Sequence, residues 1–325
     1  MKEPLVSVLL PAYNVQEYLR ECLNSILAQT FTDFEVIIVN DGSTDETLSI
    51  CEEFTQLDSR FRVITQQNVG VAEARNTAVC NAQGSFLAFI DPDDFVRPSY
   101  LEFLVNMQKQ TNGDVIACGR TIYINEEKQY EDVRPMYANQ CLSAADALRA
   151  LNSYASFDMS MWAKLIRRSL FDGISFPPGK LSEDQFVCFQ ILDKSRKTYY
   201  FPTPLYMYRH RIGSICRDDS AVNWYPLEAS GAQYTYIGKH HPELMKQAAA
   251  SCFFSAVGVY NDYVLRGQHM TSHVAESIRR YTKSNLFFML RDPDLNVKKK
   301  MQGLLFVLGK PLYNRMLLSR RSILS

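Results

Sequence analysis

Apolar residues in the first part of the chain fall in short unbroken runs, separated by stretches in which they recur at helical spacing. Leu5–Leu10, Phe34–Val39, Phe61–Thr65, Phe86–Ile90 and Asp114–Cys118 read as buried strands, the first ended by Pro11. Between the first two, Leu19, Leu23, Ile26 and Leu27 mark a helix over Gln16–Ala28. Ser43 and Glu46 have capping-box spacing and predict a helix running to about Leu57. Helical residues follow Gly70, and a further helix is expected from Ser99 to about Gln110. Strand and helix alternating through short connections predict an α/β fold, a Rossmann-like domain with a mostly parallel sheet wrapped by helices. Right-handed crossovers bring the loops after parallel strands to one edge of such a sheet. The loops Pro11–Asn14, Asn40–Ser43 and Asp91–Asp94 should therefore face one crevice, where ligands of open α/β sheets sit.

After Gly119 the pattern loosens. Thr121–Ile124 alternates like a strand, Ser143–Leu151 reads as a helix, and Met161–Arg168 as another short helix. Pro177–Gly179 marks a turn and Glu183–Leu192 a helix. Thr198–Phe201 and Leu205–Arg209 read as two short strands around Pro202 and Pro204. Beyond Asn223 the pattern is helical almost throughout, with Ala248–Leu265 and Val274–Leu290 the clearest segments. A boundary near Arg217–Ala221 is expected, dividing a domain over 1–218 from a helical region over 219–325.

At 325 residues, 46% hydrophobic and 22% charged, the composition is that of an ordinary globular protein. Lys and Arg equal Asp and Glu at 35 each, so the average charge favours no polyanionic partner and no nucleic acid. Eight cysteines are scattered without a Cys-x-x-Cys pair, which favours a reducing compartment over zinc or a disulfide framework. Met1-Lys-Glu-Pro4 runs directly into the first strand and leaves no room for a signal peptide. No apolar run approaches the roughly 18 residues of a membrane span, so the expected location is cytoplasmic. The tail, Leu295–Ser325, carries seven Lys or Arg and no Asp or Glu, interleaved with Leu304–Leu308 and Met316–Leu318. Such a tail either lies on an anionic membrane surface, peripheral to its inner face, or packs as a helix with a solvated basic face.

The chemistry concentrates at Phe86–Asp94, where an apolar run is followed by Asp91, Asp93 and Asp94. Carboxylates so crowded need a cation, a hydrogen-bond donor or water. Mg²⁺ or Mn²⁺ is held by one or two carboxylates together with phosphate oxygens, which suits this cluster. The same Asp-Pro-Asp tripeptide recurs at Asp292–Asp294, so the tripeptide alone does not specify a metal. At the expected crevice, Tyr13 offers a face for a base to stack on, and Asp41 an acceptor for a base imide. Arg75 offers donors to a base edge or a phosphate, and Asp91 and Asp93 a metal bridge to a diphosphate. Glu183 and Asp184, considered apart, read as acidic residues at a helix N-terminus. Each of the crevice residues also has a structural explanation taken singly: Tyr13 as core edge, Asp41 as turn former, Arg75 as surface charge. Their occurrence in order, at the ends of successive strands, favours a nucleotide diphosphate.

These residues lie within stretches that resemble the inverting family-two glycosyltransferases, nucleotide-sugar enzymes with the A-type glycosyltransferase fold. The stretches are Ser7-Val-Leu-Leu-Pro-Ala-Tyr-Asn14, Ser25-Ile-Leu-Ala-Gln-Thr-Phe31, Val39-Asn-Asp-Gly-Ser-Thr-Asp45, Ala74-Arg-Asn76 and Ile90-Asp-Pro-Asp-Asp94. Met161-Trp-Ala-Lys-Leu165, Phe176-Pro-Pro-Gly-Lys-Leu-Ser-Glu-Asp184 and Tyr208-Arg-His-Arg211 are similar to the branch that builds bacterial capsule, exopolysaccharide and related cell-wall glycans. The resemblance covers residues 5–216. It implies that Pro11, Tyr13, Asn14, Asp41, Arg75 and Asp91 bind the nucleotide, with Tyr13, Asp41 and Arg75 at the base, usually uracil. It implies that Asp93, with Asp94 and His210, meets Mg²⁺ or Mn²⁺, and that Asp184 is the general base. Trp162, Lys164, Glu183, Arg209 and Arg211 are then phosphate or sugar contacts, although Trp162 also suits a core. Asn40 departs from the pattern, standing where Asp is common, and Val69 stands where Gly is frequent.

The implied activity is metal-dependent transfer of a sugar, with inversion, from a UDP-sugar to a hydroxyl of a growing glycan, lipid-linked and destined for the cell surface. The chemistry agrees: an attacking hydroxyl needs a carboxylate base, and a departing nucleotide diphosphate needs its charge stabilised. Two other readings stand beside it. A sugar-nucleotidyltransferase would want a glycine-rich loop to cradle a triphosphate, and Pro11–Asn14 has no glycine. A non-catalytic nucleotide-sugar-binding partner of another transferase would not need Asp91, Asp93 and Asp184 together.

Overall fold

The computed structural model describes residues 3–124, 129–132, 139–153, 159–210 and 221–324. The chain divides into two compact units, one of Met1–Leu148 with Ala155–Arg211, the other of Arg149–Tyr154 with Ile212–Ser325. The boundary expected near Arg217 lies largely outside the described residues.

The first unit opens with β1 (Val6–Ala12), α1 (Gln16–Leu27), β2 (Phe34–Asn40), α2 (Thr47–Leu57), β3 (Phe61–Thr65), α3 (Val71–Asn81) and β4 (Phe86–Phe89). It continues with β5 (Phe95–Val96), α4 (Tyr100–Thr111), β6 (Val115–Ile124), β7 (Gln129–Asp132) and β8 (Gln140–Leu142). After α5 (Ala144–Ser153) come β9 (Lys164–Arg167), α6 (Asp184–Lys194) and β10 (Thr198–His210). The strands form one mixed α/β sheet in the order β3-β2-β1-β4-β9-β6-β10-β5, with β7 on β6 and β8 on β10. The pairings β3-β2, β2-β1, β1-β4 and β6-β10 are parallel, whereas β9 runs antiparallel to both β4 and β6. All seven residues of β1 are buried, which is why this central strand reads as a continuous apolar run.

Four expectations need correction. Pro11 does not end β1: the strand continues to Ala12, with Pro11 in register with Val39. Leu9 accepts from Ile90 on the β4 side, so by alternation Pro11 turns its ring nitrogen to the same side, where β4 has already ended. Ser43 and Glu46 form no capping box. Ser43 Oγ accepts instead from Asn14 N, and Asp45 Oδ1 takes the Thr47 amide at the start of α2. Met161–Arg167 is not helical but enters β9, whose Leu165 and Ile166 are buried between β4 and β6, and Arg168 opens a short 3-10 turn. A short apolar run buried on both faces has no periodicity that separates strand from helix. The two strands expected around Pro202 and Pro204 are one strand, β10, with register shifts at both prolines. Gly119 lets β6 pass this irregularity, since a Cβ there would meet Pro202 O at 2.9 Å.

The second unit holds α7 (Tyr225–His240), α8 (Met245–Arg266), α9 (Ser272–Leu290), α10 (Val297–Leu308) and α11 (Lys310–Leu324). Its core gathers Phe253, Tyr260, Ile278, Met289, Phe306 and Tyr313. The second Asp-Pro-Asp forms the turn between α9 and α10: buried Asp292 accepts from Asp294 N at 3.0 Å, and Asp294 is bound by Arg149 and Gln247. Its carboxylates are used up in structure. Among the described residues no helix is long and apolar enough to cross a membrane.

Candidate active site

Parallel pairing of β1 with β2 and β4 brings the loops after these strands to one edge of the sheet. The first two loops are laced together: Asn14, in left-handed conformation at φ 48°, accepts the Thr44 amide on Oδ1 at 2.9 Å and donates its own amide to Ser43 Oγ at 3.1 Å. Tyr13, just before it, remains 46% exposed, an aromatic face open to a ligand. Asn40 is buried and closes the β2 turn by accepting from Ser43 N.

Asp41 is 2% exposed. Its Oδ1 accepts from Gln66 Nε2 and Val69 N, and its Oδ2 from Gly70 N at 2.8 Å. Three of roughly four acceptor positions on the carboxylate are thus filled. Asp41 pins the loop that opens α3, and Gly42 (φ 72°) is required beside it, because a Cβ would meet Asn68 N at 2.7 Å.

From α3, Arg75 reaches into the first unit as the centre of an ion chain. Its guanidinium donates to Asp91 Oδ1 at 2.9 Å and, through the other terminal nitrogen, to Glu183. Arg75 is 6% exposed, which excludes the alternative reading of a surface charge, and its Nε is a buried donor without a hydrogen-bond partner. Burial opposes the charge on Arg75, but Glu183, Asp91 and Asp184 outweigh it and hold the guanidinium protonated. Asn76, one residue on, exchanges two hydrogen bonds with the Phe176 backbone, at 2.8 and 2.9 Å, and so fixes the segment leading to α6. Glu183 immediately precedes α6 and Asp184 is its first residue, with Oδ1 accepting from Gln185 N. Arg75 thereby joins the carboxyl end of β4 to the start of α6.

The three carboxylates after β4 have separate environments. Asp91 is half-buried, and its carboxyl is pushed up to about 6, first by burial and then by Asp93 and Glu183, against the pull of Arg75. Asp94 is 2% exposed, and both its oxygens are occupied, Oδ2 by the Tyr206 hydroxyl and Oδ1 by the Arg209 amide, each at 2.7 Å. Burial, then Asp93 and Asp91, push its carboxyl well above the ordinary value. The Tyr206 hydroxyl also accepts from Asp91 N, so Tyr206 latches the whole turn onto β10. Asp94, expected at the metal, is thus held inside this latch, with each oxygen accepting one hydrogen bond. Asp93 is less buried than Asp94.

Three expected phosphate or sugar contacts are also engaged within the protein. Arg209 is tied to the Asp93 carbonyl and to Glu21, with its guanidinium against Tyr18, Phe95 and Tyr123. Alternation along β10 sends it to the face opposite Tyr206, Tyr208 and His210. Lys164 is 3% exposed, and its Nζ donates to Ser160 O and Trp162 O, bracing the loop in which Ala163 takes φ 56°. Glu183 is committed to Arg75. Trp162 stacks on Tyr206 and Tyr208 at 4.8 and 5.5 Å, and the His210 ring follows, 6.4 Å from Tyr208. Arg211 lies outside the described residues.

Among the described residues no group of three or more His, Cys, Asp or Glu side chains is gathered to hold a metal unaided. Asp91 and Asp93 are nevertheless hard oxygen donors near enough to raise the proton affinity of Asp91, a repulsion that a divalent cation would relieve. Mg²⁺ asks a protein for no more than one or two carboxylates when phosphate oxygens complete its shell, so the donor set fits. The sequence reading missed Tyr206, Glu21 and Asn76 as determinants of the site; only Asn76 carried a signal, as the neighbour of Arg75.

The family model described as Glycosyl transferase family 2 matches residues 7–175. GlyA of Streptococcus pneumoniae, a glycosyltransferase, is 37% identical over 224 residues, covering 65% of this chain and 31% of GlyA. EpsH of Bacillus subtilis is 37% identical over 225 residues, covering 66% of this chain and 63% of EpsH. The chain thus spans less than two thirds of either relative. Among solved structures, TarS 1–349 of S. aureus in complex with UDP-GlcNAc superposes with a TM-score of 0.66 at 18% identity, over 98% of this chain and 91% of that one. At that identity the likeness speaks to the fold.

Proposed function

This chain belongs to glycosyltransferase family 2, and from that premise we propose that it moves a sugar, with inversion, from a UDP-sugar to a hydroxyl of a growing glycan. The observation that carries the reading is the ion chain Asp91–Arg75–Glu183, which ties the carboxyl end of β4 to the start of α6 and so to Asp184. Support for a UDP-sugar comes from the exposed Tyr13 and from the TarS fragment, a similar fold bound to UDP-GlcNAc.

In this reading the first unit is catalytic. Tyr13 stacks on the base, and the strand-end loops laced by Pro11–Asn14 and Asp41 shape the nucleotide pocket. Arg75, which keeps one buried donor unpaired, serves the nucleotide while orienting Asp91 and Glu183. Asp91 and Asp93 would hold Mg²⁺ or Mn²⁺, which when bound offsets the charge of the departing diphosphate. Asp184 takes the proton of the attacking acceptor hydroxyl. That oxygen bonds to the anomeric carbon as the bond to the diphosphate breaks, and a single displacement inverts the centre. Trp162, stacked on Tyr206 and Tyr208, flanks the acceptor side, and His210 beyond them would be a further contact to the metal. The acceptor class we assign is a lipid-linked oligosaccharide in cell-surface polysaccharide synthesis, handled on the cytoplasmic side; the seven described cysteines, all free thiols, suit that reducing compartment.

Calorimetry with a panel of UDP-, GDP-, CMP- and dTDP-sugars, each with Mn²⁺ and with EDTA, tests the reading. Metal-dependent binding of a UDP-sugar supports it. Binding of no sugar nucleotide by the folded protein would leave a non-catalytic partner as the better account.

A further inference from the structure

We propose that α10 and the start of α11 dock this protein on an anionic lipid surface. Helix α10 has two apolar faces. One carries Gly303 and Phe306, both buried, with the Phe306 ring against Phe253 and Tyr260. The other carries Val297, Met301, Leu304 and Leu308, at steps of four, three and four residues, which align on one side of a helix. On that side Val297 is 75%, Met301 59% and Leu308 78% exposed. The stripe runs about 16 Å along the axis. Leu312 and Met316 on α11 repeat the four-residue step and are 54% and 45% exposed.

Lysines border this stripe. Lys298 follows Val297 and Lys300 precedes Met301, so each stands about 100° round the helix from the stripe, on opposite sides. Lys299 and Lys310 lean over Phe254 and Tyr260 and roof the helical core. From Val297 to Leu324 there are seven basic residues and no acidic one. An aliphatic ridge between ammonium groups matches acyl chains beneath anionic headgroups. A second copy of the chain seated here would set seven positive charges against seven, and a soluble polyanion would engage the lysines while leaving the ridge in water. The surface lies outside the residues assigned to catalysis, and the inference stands without that assignment.

The test is flotation of the full chain with phosphatidylcholine vesicles, with and without phosphatidylglycerol, at low and raised salt. The protein should float with the anionic vesicles and lose that binding as salt rises. Lys298→Gln with Lys300→Gln should weaken partitioning roughly tenfold or more, and Met301→Asp with Leu308→Asp by at least as much. Circular dichroism and sugar-nucleotide binding should be unchanged in both variants, which shows that they fold. The inference is overturned if the wild-type chain does not float with anionic vesicles, or if both variants float as it does. Concentration-dependent dimerisation removed by Met301→Asp, without flotation, would overturn it in favour of a second copy.

Discussion

Glu183→Gln takes one negative charge out of the Asp91–Arg75–Glu183 chain while keeping the shape of the side chain and one acceptor oxygen. The Arg75 and Glu183 side chains are 7% and 6% exposed, so water cannot replace what is lost. Removing one partner of a buried ion pair costs about 3–5 kcal/mol. Here the glutamine still accepts a hydrogen bond and Asp91 still pairs with Arg75, which lowers the expectation to about 2 kcal/mol. Urea unfolding followed by tryptophan fluorescence reads this in the first unit through Trp162, once Trp224 of the second unit is replaced by Phe. The same substitution loosens the start of α6, so kcat should fall roughly tenfold, about 1.4 kcal/mol of transition-state stabilisation, with Asp184 untouched. A stability change below about 0.5 kcal/mol together with unchanged kcat would refute the claim that this chain positions the base.

Asp184→Asn should lower kcat by roughly a hundredfold to ten-thousandfold while calorimetric affinity for the donor stays within about twofold. Tyr13→Ala should weaken sugar-nucleotide binding by about 1–3 kcal/mol with the unfolding midpoint unchanged. Asp93→Asn should weaken donor binding in Mn²⁺ but not in EDTA, whereas Asp94→Asn should lower the unfolding midpoint, because it breaks the Tyr206 and Arg209 latch. Asp114, bound by Arg167 at 2.7 Å and by Arg196 at 2.9 Å, has its carboxyl held down to about 2 by those hydrogen bonds. Its folded value lies below the unfolded one near 3.9, so the stabilisation is complete above about pH 5 and is lost as pH falls through 2. That is about 2 kcal/mol, so wild type and Asp114→Asn should differ by about that much in urea at pH 7 and converge only below about pH 2.

β1, β2 and β4 were legible because they are buried almost throughout and therefore read as apolar runs, whereas the partly buried β3 was legible from its local pattern, to the residue. The antiparallel insertion of β9 was not, because Met161–Arg168 is too short and too evenly buried for its periodicity to exclude a helix. The continuity of β10 was hidden by Pro202 and Pro204, which break the ladder but not the course of the strand. The sequence order placed Arg75 shortly before Asp91, and the fold joins them: Arg75 on α3 reaches Asp91 after β4 and Glu183 at the start of α6.

Residue type did not reveal which polar groups the protein uses up internally. Asp94 and Tyr206 are 112 positions apart, and Arg75 and Glu183 are 108 apart, so neither pairing leaves a local pattern. The consequence reaches the chemistry. Three adjacent carboxylates in one open crevice would repel one another and would differ little in role. By burying Asp94 under Tyr206 and the Arg209 amide, and by sharing Asp91 with Arg75, the fold gives each a different charge environment. Asp94 fixes the turn, Asp91 couples it to α3 and α6, and Asp93 stands between them in a less buried position than Asp94. In the proposed reading, where a cation enters together with its diphosphate, that division leaves Asp91 and Asp93 as its protein donors, and Mg²⁺ asks for no more than one or two carboxylates when phosphate oxygens complete its shell.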